Sequence, residues 1–173
     1  MILVSDDART TLVGILSDTH GRLPDAAFAA LADCDFIIHA GDIGAPQVLR
    51  ALETLAPTYA VLGNNDFDEY GATVRWIIRP TIAGVRFLIA HYPRDIHASM
   101  GRAVEESDGA QFAQICVHGH THVPKITTGL EAKPAQYLIC PGSVSSPRMG
   151  SGASIAKLTI TGGQVQNVWL EGI

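Results

Sequence analysis

The chain has 173 residues, of which 17 % are charged, and a formal net charge of −5 at pH 7. This length suffices for one domain that buries about 68–70 % of the surface exposed by its unfolded chain, so a disulfide scaffold is unnecessary. The acidic balance, without a run of lysine or arginine, argues against a broad binding surface for duplex nucleic acid.

The cysteines and the N-terminal residues bear on location. Cys34, Cys116 and Cys140 lack a Cys-x-x-Cys pairing and have apolar neighbours, which predicts buried thiols in a reducing compartment. Met1–Ser5 has no basic head and is followed by two aspartates, so it is a poor signal peptide, and no apolar run approaches membrane-spanning length. We therefore expect a cytoplasmic protein without a membrane segment.

The first half of the chain alternates short apolar runs with helical patterns. Strands are predicted at Thr11–Leu16, Asp35–His39 and Thr58–Leu62. Helices are predicted at Pro24–Leu31, which begins with a proline suited to a first helical turn, and at Ala45–Leu55, whose apolar residues lie on one stripe. The order βαβαβ follows.

The second half is mostly strand-like. Val74–Ile78 and Val85–Ala90 are predicted strands with a turn at Ala83-Gly84, and Ile96, Met100 and Val104 at helical spacing predict a helix after His91. Further strands are predicted at Val123–Thr128, Gln136–Cys140, Ser154–Ile160 and Gln164–Leu170, the last two joined by a hairpin at Gly162-Gly163. We expect stacked sheets flanked by helices in a single domain, residues 1–173, with residues 1–10 as a flexible N-terminal extension.

Five apolar runs each lead into residue types that bind metal ions. In chain order, Leu12–Leu16 precedes Asp18-Thr19-His20, Phe36–Ile38 precedes Gly41-Asp42, Tyr59–Leu62 precedes Gly63-Asn64-Asn65-Asp66, Phe87–Ala90 precedes His91, and Ile115–Val117 precedes Gly119-His120-Thr121-His122. In layered α/β proteins, functional sites gather in the loops outside the carboxyl ends of the strands. The recurrence therefore predicts one common cleft that holds metal ions.

Each residue alone has a plainer interpretation. Asp18 and Asp42 are the types that cap helices or make polar turns, and Asn64 after a glycine tolerates a left-handed turn. His91 is then a hydrogen-bonded histidine at a strand end. The metal interpretation is favoured because all the plainer ones would have to hold at once.

The ordered set Asp-x-His, Gly-Asp, Gly-Asn-x-Asp, a lone His and Gly-His-Thr-His resembles the calcineurin-like metallophosphoesterase superfamily. The small size resembles its compact YfcE-like phosphodiesterase branch, which includes the retromer scaffold subunit as a distant relative. The resemblance spans roughly residues 12 to 148. It implies an α/β fold, a four-layer α-β-β-α sandwich of two mixed sheets flanked by helices.

The resemblance also implies two divalent metal ions, manganese first, with iron, zinc, nickel or cobalt as alternatives. The ligands of one ion would be Asp18, His20, Asp42 and His122, and those of the other Asp42, Asn64, His91 and His120, with Asp42 as the bridge. Two carboxylates against four positive charges leave a surplus that attracts phosphate. The expected activity is hydrolysis of a small phosphodiester, or of a phosphomonoester, by in-line attack of a metal-bridging water or hydroxide.

The chain departs from the family pattern at two places. Asn65 stands where relatives have histidine or cysteine; an amide can donate to a phosphoryl oxygen but cannot act as a general acid. We predict Asn65 and Asp66 as the catalytic residues, Asn65 positioning substrate and Asp66 orienting its loop. Tyr92-Pro93 replaces a common glycine after His91, and Tyr92 is expected to wall the cleft. Arg148 is either a substrate contact or an exposed cation, beyond the loop Pro141-Gly142-Ser143 that resembles one in the compact branch.

Three further histidines have no predicted ligand role. His39 and His118 precede ligand steps, and either buttress the ligand loops or pack in the core; His97 is either solvated or a substrate contact.

Two other function classes match part of this pattern. One is a non-catalytic metal-binding scaffold of the same fold. The other is a metallo-β-lactamase-type hydrolase, which His118, His120 and His122 match only superficially, because the Asp-His pair of that class corresponds to His122 and Val123 here. The sequence leaves open whether the protein forms a homo-oligomer.

Overall fold

Two principal β-sheets stack face to face in the computed structural model, which describes residues 9–106 and 109–173. The first sheet has five strands, in the spatial order β13 (Gln164–Gly172), β12 (Ser154–Thr161), β1 (Thr11–Leu16), β2 (Phe36–His39) and β3 (Thr58–Ala60). Strands β1, β2 and β3 are parallel, and β12 and β13 extend the sheet antiparallel. The carboxyl ends of the three parallel strands therefore lie at one edge.

The second sheet has six strands. Its path is β10 (Lys125–Thr128), β11 (Tyr137–Cys140), β9 (Ile115–Val117), β6 (Val85–Ala90) and β4 (Ile77–Ile78), and β5 (Thr81–Ile82) also pairs with β6. Strands β6, β9 and β11 are parallel, whereas β4, β5 and β10 are antiparallel to their neighbours. Strand β7 (Val104–Glu106) pairs antiparallel with β8 (Gly109–Gln111) in a separate two-stranded sheet.

Among the residues that the structure describes, three α-helices cover the outer faces of the sheets. Helices α1 (Asp25–Ala30) and α2 (Pro46–Glu53) pack on the first sheet, with Leu31, Ile37 and Leu52 in their shared core. Helix α3 (Pro93–Met100) packs on the second sheet through Ile96 and Met100, and one 3-10 turn covers Gly129–Glu131. The predicted four-layer α-β-β-α sandwich is confirmed.

Strand alternation supplies the core between the sheets. Val13 and Ile15 of β1 face the second sheet, where Phe87 and Ile89 of β6 meet them, and the neighbouring Leu16 faces the helices instead. This is the period of two expected for a strand buried on both faces. The stacking brings the carboxyl ends of the parallel strands of both sheets to the same end of the sandwich.

Most predicted elements are present, with local differences. The strands Thr11–Leu16 and Val85–Ala90 have the predicted bounds, whereas α3 ends at Met100 and Val104 begins β7, so the expected helical position of Val104 is wrong. The predicted strand Val74–Ile78 is reduced to Ile77–Ile78, because Val74 closes a turn on Gly71 and Arg75 makes a single bridge to Val61.

The structure bears on the remaining general expectations only in part. The thiols of Cys34, Cys116 and Cys140 are free and buried, as predicted. In the described part of the chain, no helix is long and apolar enough to cross a membrane. Of the predicted N-terminal extension, residues 1–8 lie outside the described residues. The single-domain assignment stays a prediction.

Candidate metal centre

All seven predicted ligands follow strands at one end of the sandwich. Asp18 and His20 follow β1, Asp42 follows β2, Asn64 follows β3, His91 follows β6, and His120 and His122 follow β9. The structure therefore brings together side chains from five separate loops and from both sheets.

The first group of donor atoms comes from Asp18, His20 and His122, whose ligand atoms all lie within 4.8 Å of one another. Nε2 of His122 is 3.1 Å from Oδ1 of Asp18 and 3.3 Å from Nε2 of His20. Oδ2 of Asp42 is 3.9 Å from Nε2 of His20. One carboxylate, two imidazoles and a nearby second carboxylate make a mixed oxygen and nitrogen set suited to a divalent transition metal.

A second group lies beside the first. Asp18, Asp42 and His91 also present ligand atoms within 4.8 Å of one another, and Nε2 of His91 is 3.5 Å from Oδ1 of Asp42. Oδ1 of Asn64 is 3.1 Å from Nε2 of His91 and 3.0 Å from Nδ1 of His120. Apart from Asp18, these residues are the ones predicted for the second ion.

The carboxylates of Asp18 and Asp42 are shared by the two groups of donor atoms. Oδ2 of Asp42 faces His20 while its Oδ1 faces His91, the arrangement that a bridging carboxylate needs. Asp18 also belongs to both groups, which the sequence did not predict.

Asp18 has a buried carboxylate oxygen whose surroundings favour a bound cation. Its Oδ1 is buried and, among residues 9–106 and 109–173, accepts no hydrogen bond. Nε2 of His122 lies 3.1 Å away but has no proton to donate, because the proton of the neutral ring is on Nδ1. Burial raises the pKa of this carboxyl group, with the neighbouring Asp42 adding a smaller effect in the same direction. Buried polar atoms are normally paired, so this oxygen fits a metal ligand.

Two histidines have their tautomers fixed by carbonyl groups. Nδ1 of His91 lies 2.8 Å from the carbonyl oxygen of Ala40, and Nδ1 of His122 lies 2.5 Å from that of Ser146. A carbonyl only accepts, so each Nδ1 carries the proton and each neutral ring presents the Nε2 lone pair to the cluster. This is the usual arrangement of a metal-binding histidine.

The backbone at the ligands is unusual. Left-handed φ angles occur at Asp18 (55°), His20 (47°), Asp42 (54°), His120 (68°) and His122 (61°). For residues other than glycine this conformation carries a free-energy penalty of order 1–3 kcal/mol each, and such penalties concentrate at functional sites. The alternative interpretation of Asn64 as a left-handed turn residue is wrong, because its φ is not positive.

The glycines before the ligands are needed for space. A Cβ on Gly63 would lie 2.1 Å from Oδ1 of Asp42, and one on Gly119 would lie 1.9 Å from Oγ of Ser17 and 2.8 Å from Oδ2 of Asp18. The Gly-Asn and Gly-His steps therefore let one ligand loop pack directly against another.

Asp66 and Asn65 have different surroundings. The buried carboxylate of Asp66 accepts hydrogen bonds from the backbone N–H groups of Ile43, Gly44 and Gly63 and from the Tyr70 hydroxyl. It thus ties the loop of Asp42 to the loop of Asn64. Asn65 is exposed, and its backbone and side-chain N–H groups donate to Asp42 at 2.9 and 2.7 Å.

His39 buttresses two ligand loops. Its Nδ1 accepts from the backbone N–H of Gly41, so its Nε2–H donates to the hydroxyl of Thr19, which in turn donates to the carbonyl of Ile43. Complete burial lowers the pKa of His39 to about 4. Of the two interpretations of His39, the buttressing one matches these contacts.

Sequence reasoning missed the serines that hold Asp18. The hydroxyls of Ser143 and Ser145 donate to its carbonyl oxygen at 2.8 and 3.0 Å. The loop Pro141-Gly142-Ser143 resembles one in the compact branch, but no spacing in the sequence connects it to Asp18.

An aromatic and a cationic side chain border the second group. The Tyr92 ring lies 4.6 Å from the His120 ring and 5.3 Å from the His91 ring, between centroids, and the Arg94 guanidinium lies 4.2 Å above Tyr92. Arg94 was not predicted. Arg148 is exposed. The pKa of His120 is lowered by burial and then by His91, and the charge of Arg148 acts in the same direction.

Comparison with known proteins gives consistent matches. The family model of the calcineurin-like phosphoesterase superfamily domain matches residues 12–163. A probable metallophosphoesterase of Methanothermobacter thermautotrophicus is 35 % identical over 159 residues, covering 87 % of this chain and 87 % of that protein.

Solved structures share the fold. YfcE, a phosphoesterase from E. coli, superposes with a TM-score of 0.61 at 18 % identity, covering 92 % of this chain and 98 % of that one. Vacuolar protein sorting 29 from Cryptosporidium parvum superposes with a TM-score of 0.67 at 17 % identity, covering 94 % and 97 %.

Proposed function

The chain belongs to the calcineurin-like phosphoesterase superfamily, and from this membership we propose that it is a dinuclear metal-dependent phosphoesterase. The substrate is a small phosphodiester or phosphomonoester. The observation that carries the proposal is the convergence of seven donor side chains, one of which is Asp18, whose buried Oδ1 has no hydrogen-bond donor in the described residues.

The donor set suits two divalent ions, manganese being our first choice. Asp18, His20, Asp42 and His122 would hold one ion, and Asp42, Asn64, His91 and His120 the other. When bound, such ions supply Lewis-acid polarisation of a phosphoryl oxygen and activation of a water for in-line attack on phosphorus.

The chain itself supplies charge balance and orientation. Two divalent ions carry four positive charges and the two aspartates among the proposed ligands carry two negative ones, so a surplus of two favours an anionic ester. The carbonyl groups of Ala40 and Ser146 hold His91 and His122 with their Nε2 atoms toward the cluster. Asp66 holds the Asp42 and Asn64 loops together.

Substrate contacts come from the rim. Asn65 is exposed beside Asp42 and can donate its amide N–H to a phosphoryl oxygen, but it cannot supply a proton to a leaving group. The Tyr92 ring, with the Arg94 guanidinium above it, forms a wall of the cleft next to His120. Arg148 adds a positive charge near His120. These features favour esters with good leaving groups.

The test is an activity measurement on manganese-loaded protein with a bis-nitrophenyl diester and a nitrophenyl monoester. Wild type is compared with Asp18→Asn, which keeps the shape of the side chain and removes its charge, and with Asp68→Asn, an exposed acid outside the cluster. We expect Asp18→Asn to lose about a hundredfold or more in rate. Asp68→Asn should match wild type. Equal rates for wild type and Asp18→Asn would refute the proposal.

A non-catalytic scaffold is the second candidate, supported by the fold shared with vacuolar protein sorting 29. Metal analysis beside the same assay separates the two. Two bound ions with no hydrolysis of either ester by wild type would favour the scaffold. Cytoplasmic location and homo-oligomer formation stay predictions.

A further inference from the structure

A second cavity lies on the outer face of the second sheet. It has a volume of about 290 Å³ and is bounded by helix α3 and strands β10 and β11. The buried side chains of Leu138 and Cys140 contribute its apolar surface. None of the seven proposed metal ligands lines it, so the metal centre does not account for it.

The charge of this cavity has one sign. Lys125 is exposed on its wall and forms no ion pair with any residue in the described ranges, and none of the lining residues is acidic. His97 and the hydroxyl of Thr127 add polar groups. A cationic wall without a carboxylate favours an anionic ligand.

His118 adds a specific acceptor. Its side chain lines the cavity, the residue is only 9 % exposed, and its Nδ1 lies 2.9 Å from the carbonyl oxygen of Gly119. Because a carbonyl only accepts, Nδ1 carries the proton and Nε2 of the neutral ring keeps a lone pair. In the part of the chain that the structure describes, no protein donor pairs with Nε2, and this atom is accessible rather than buried. A ligand hydroxyl can therefore reach it and donate to it.

We propose that this cavity binds a small organic anion that also carries a hydroxyl group. Lys125 holds the anionic group, and Nε2 of His118 accepts the hydrogen bond from the hydroxyl, while the carbon skeleton lies against Leu138 and Cys140. The proposal does not depend on phosphoester hydrolysis, because its residues are separate from the metal ligands.

The test uses two sulfonates that a phosphoesterase cannot hydrolyse. Isethionate has an anionic group and a hydroxyl, and ethanesulfonate is the same skeleton without the hydroxyl. Zinc-loaded protein is titrated with each, and the ring-proton NMR signals of His97 and His118 are followed. We expect saturable shifts of both signals and about fivefold tighter binding of isethionate, the worth of one hydrogen bond.

Variants assign the contacts. Lys125→Met should weaken both sulfonates about fivefold, and the exposed Lys133→Met, which removes a lysine outside the cavity, should not. His118→Phe, which keeps an aromatic ring without the acceptor, should abolish the preference for isethionate at unchanged zinc content. Shifts confined to the histidines of the metal centre would overturn the proposal, as would equal effects of the two lysine variants.

Discussion

Asp66 offers the sharpest test of how the ligand loops are held. Its carboxylate accepts three backbone N–H groups and the Tyr70 hydroxyl, at distances of 2.8 to 3.1 Å. Asp66→Asn replaces one oxygen by an amide nitrogen, which cannot accept. The four donors are shared evenly by the two oxygens, so the amide nitrogen faces at least one backbone N–H that has lost its acceptor.

The size of the effect follows from these contacts. With the amide nitrogen in the place of Oδ1, the Tyr70 hydroxyl can rotate and accept from it, which leaves the N–H of Gly44 without its acceptor and weakens the bonds to the remaining oxygen. Hydrogen bonds to charged groups contribute about 1.5–3 kcal/mol each. We therefore expect Asp66→Asn to lower the free energy of unfolding by about 3 kcal/mol. For a domain of this size that is a fall of roughly 6–12 °C in Tm.

The assay is thermal and urea unfolding of metal-free protein, followed by metal titration. Asp68→Asn, exposed in the same loop, is the matched control and should stay within about 0.5 kcal/mol of wild type. Asp66→Asn should also bind metal about tenfold more weakly, because the Asp42 and Asn64 loops are no longer tied. A variant as stable as the control, with normal metal affinity, would refute this reasoning.

Three further outcomes are expected. Burial lowers the pKa of His39 to about 4 from the ordinary 6.5, so the unfolded chain binds the extra proton first as the pH falls. Stability should therefore decrease from pH 6.5 to pH 4 by about 1.4 kcal/mol per unit at most. His39→Gln should show a shallower decrease in urea unfolding, and an unchanged slope would contradict the assignment. The rate of hydrolysis should depend steeply on leaving-group pKa, and Asn65→His should raise the rates for poor leaving groups by about tenfold or more. Plots of the logarithm of the rate against leaving-group pKa that are parallel for wild type and Asn65→His, with chemistry rate-limiting, would count against this expectation. Removal of metal by a chelator should lower stability by about 4 kcal/mol relative to protein with ion at a thousandfold excess over its Kd; an unchanged Tm in a calorimetric scan would exclude a tightly bound ion.

The architecture was largely predictable because the apolar runs are clear. The apolar runs Thr11–Leu16 and Val85–Ala90 are long enough to predict both the strands and the residues at which they begin and end. Strand β5 has two residues and β7 and β8 three each, too few for any alternation to be visible. Val104 fitted a helical spacing by coincidence, since Gly101 ends α3 before it.

The site was predictable in its residue types and not in its geometry. The recurrence of ligand types after strands identified the seven residues that the structure brings together. The left-handed backbone at Asp18 and His122 is imposed by surrounding loops, and aspartate or histidine alone does not predict it. Likewise Ser145 is 127 residues from Asp18 in the sequence, and only the tertiary fold connects them.

The way the first sheet is assembled has a consequence for biosynthesis. Its strand β1, which leads to Asp18 and His20, is central and needs β12 from the far end of the chain as its antiparallel neighbour. His120 reaches back across 102 residues to Asp18. A nascent chain still on the ribosome thus has the early carboxylate and histidine without the scaffold that holds them. We therefore expect ion uptake to follow the synthesis and pairing of strand β12.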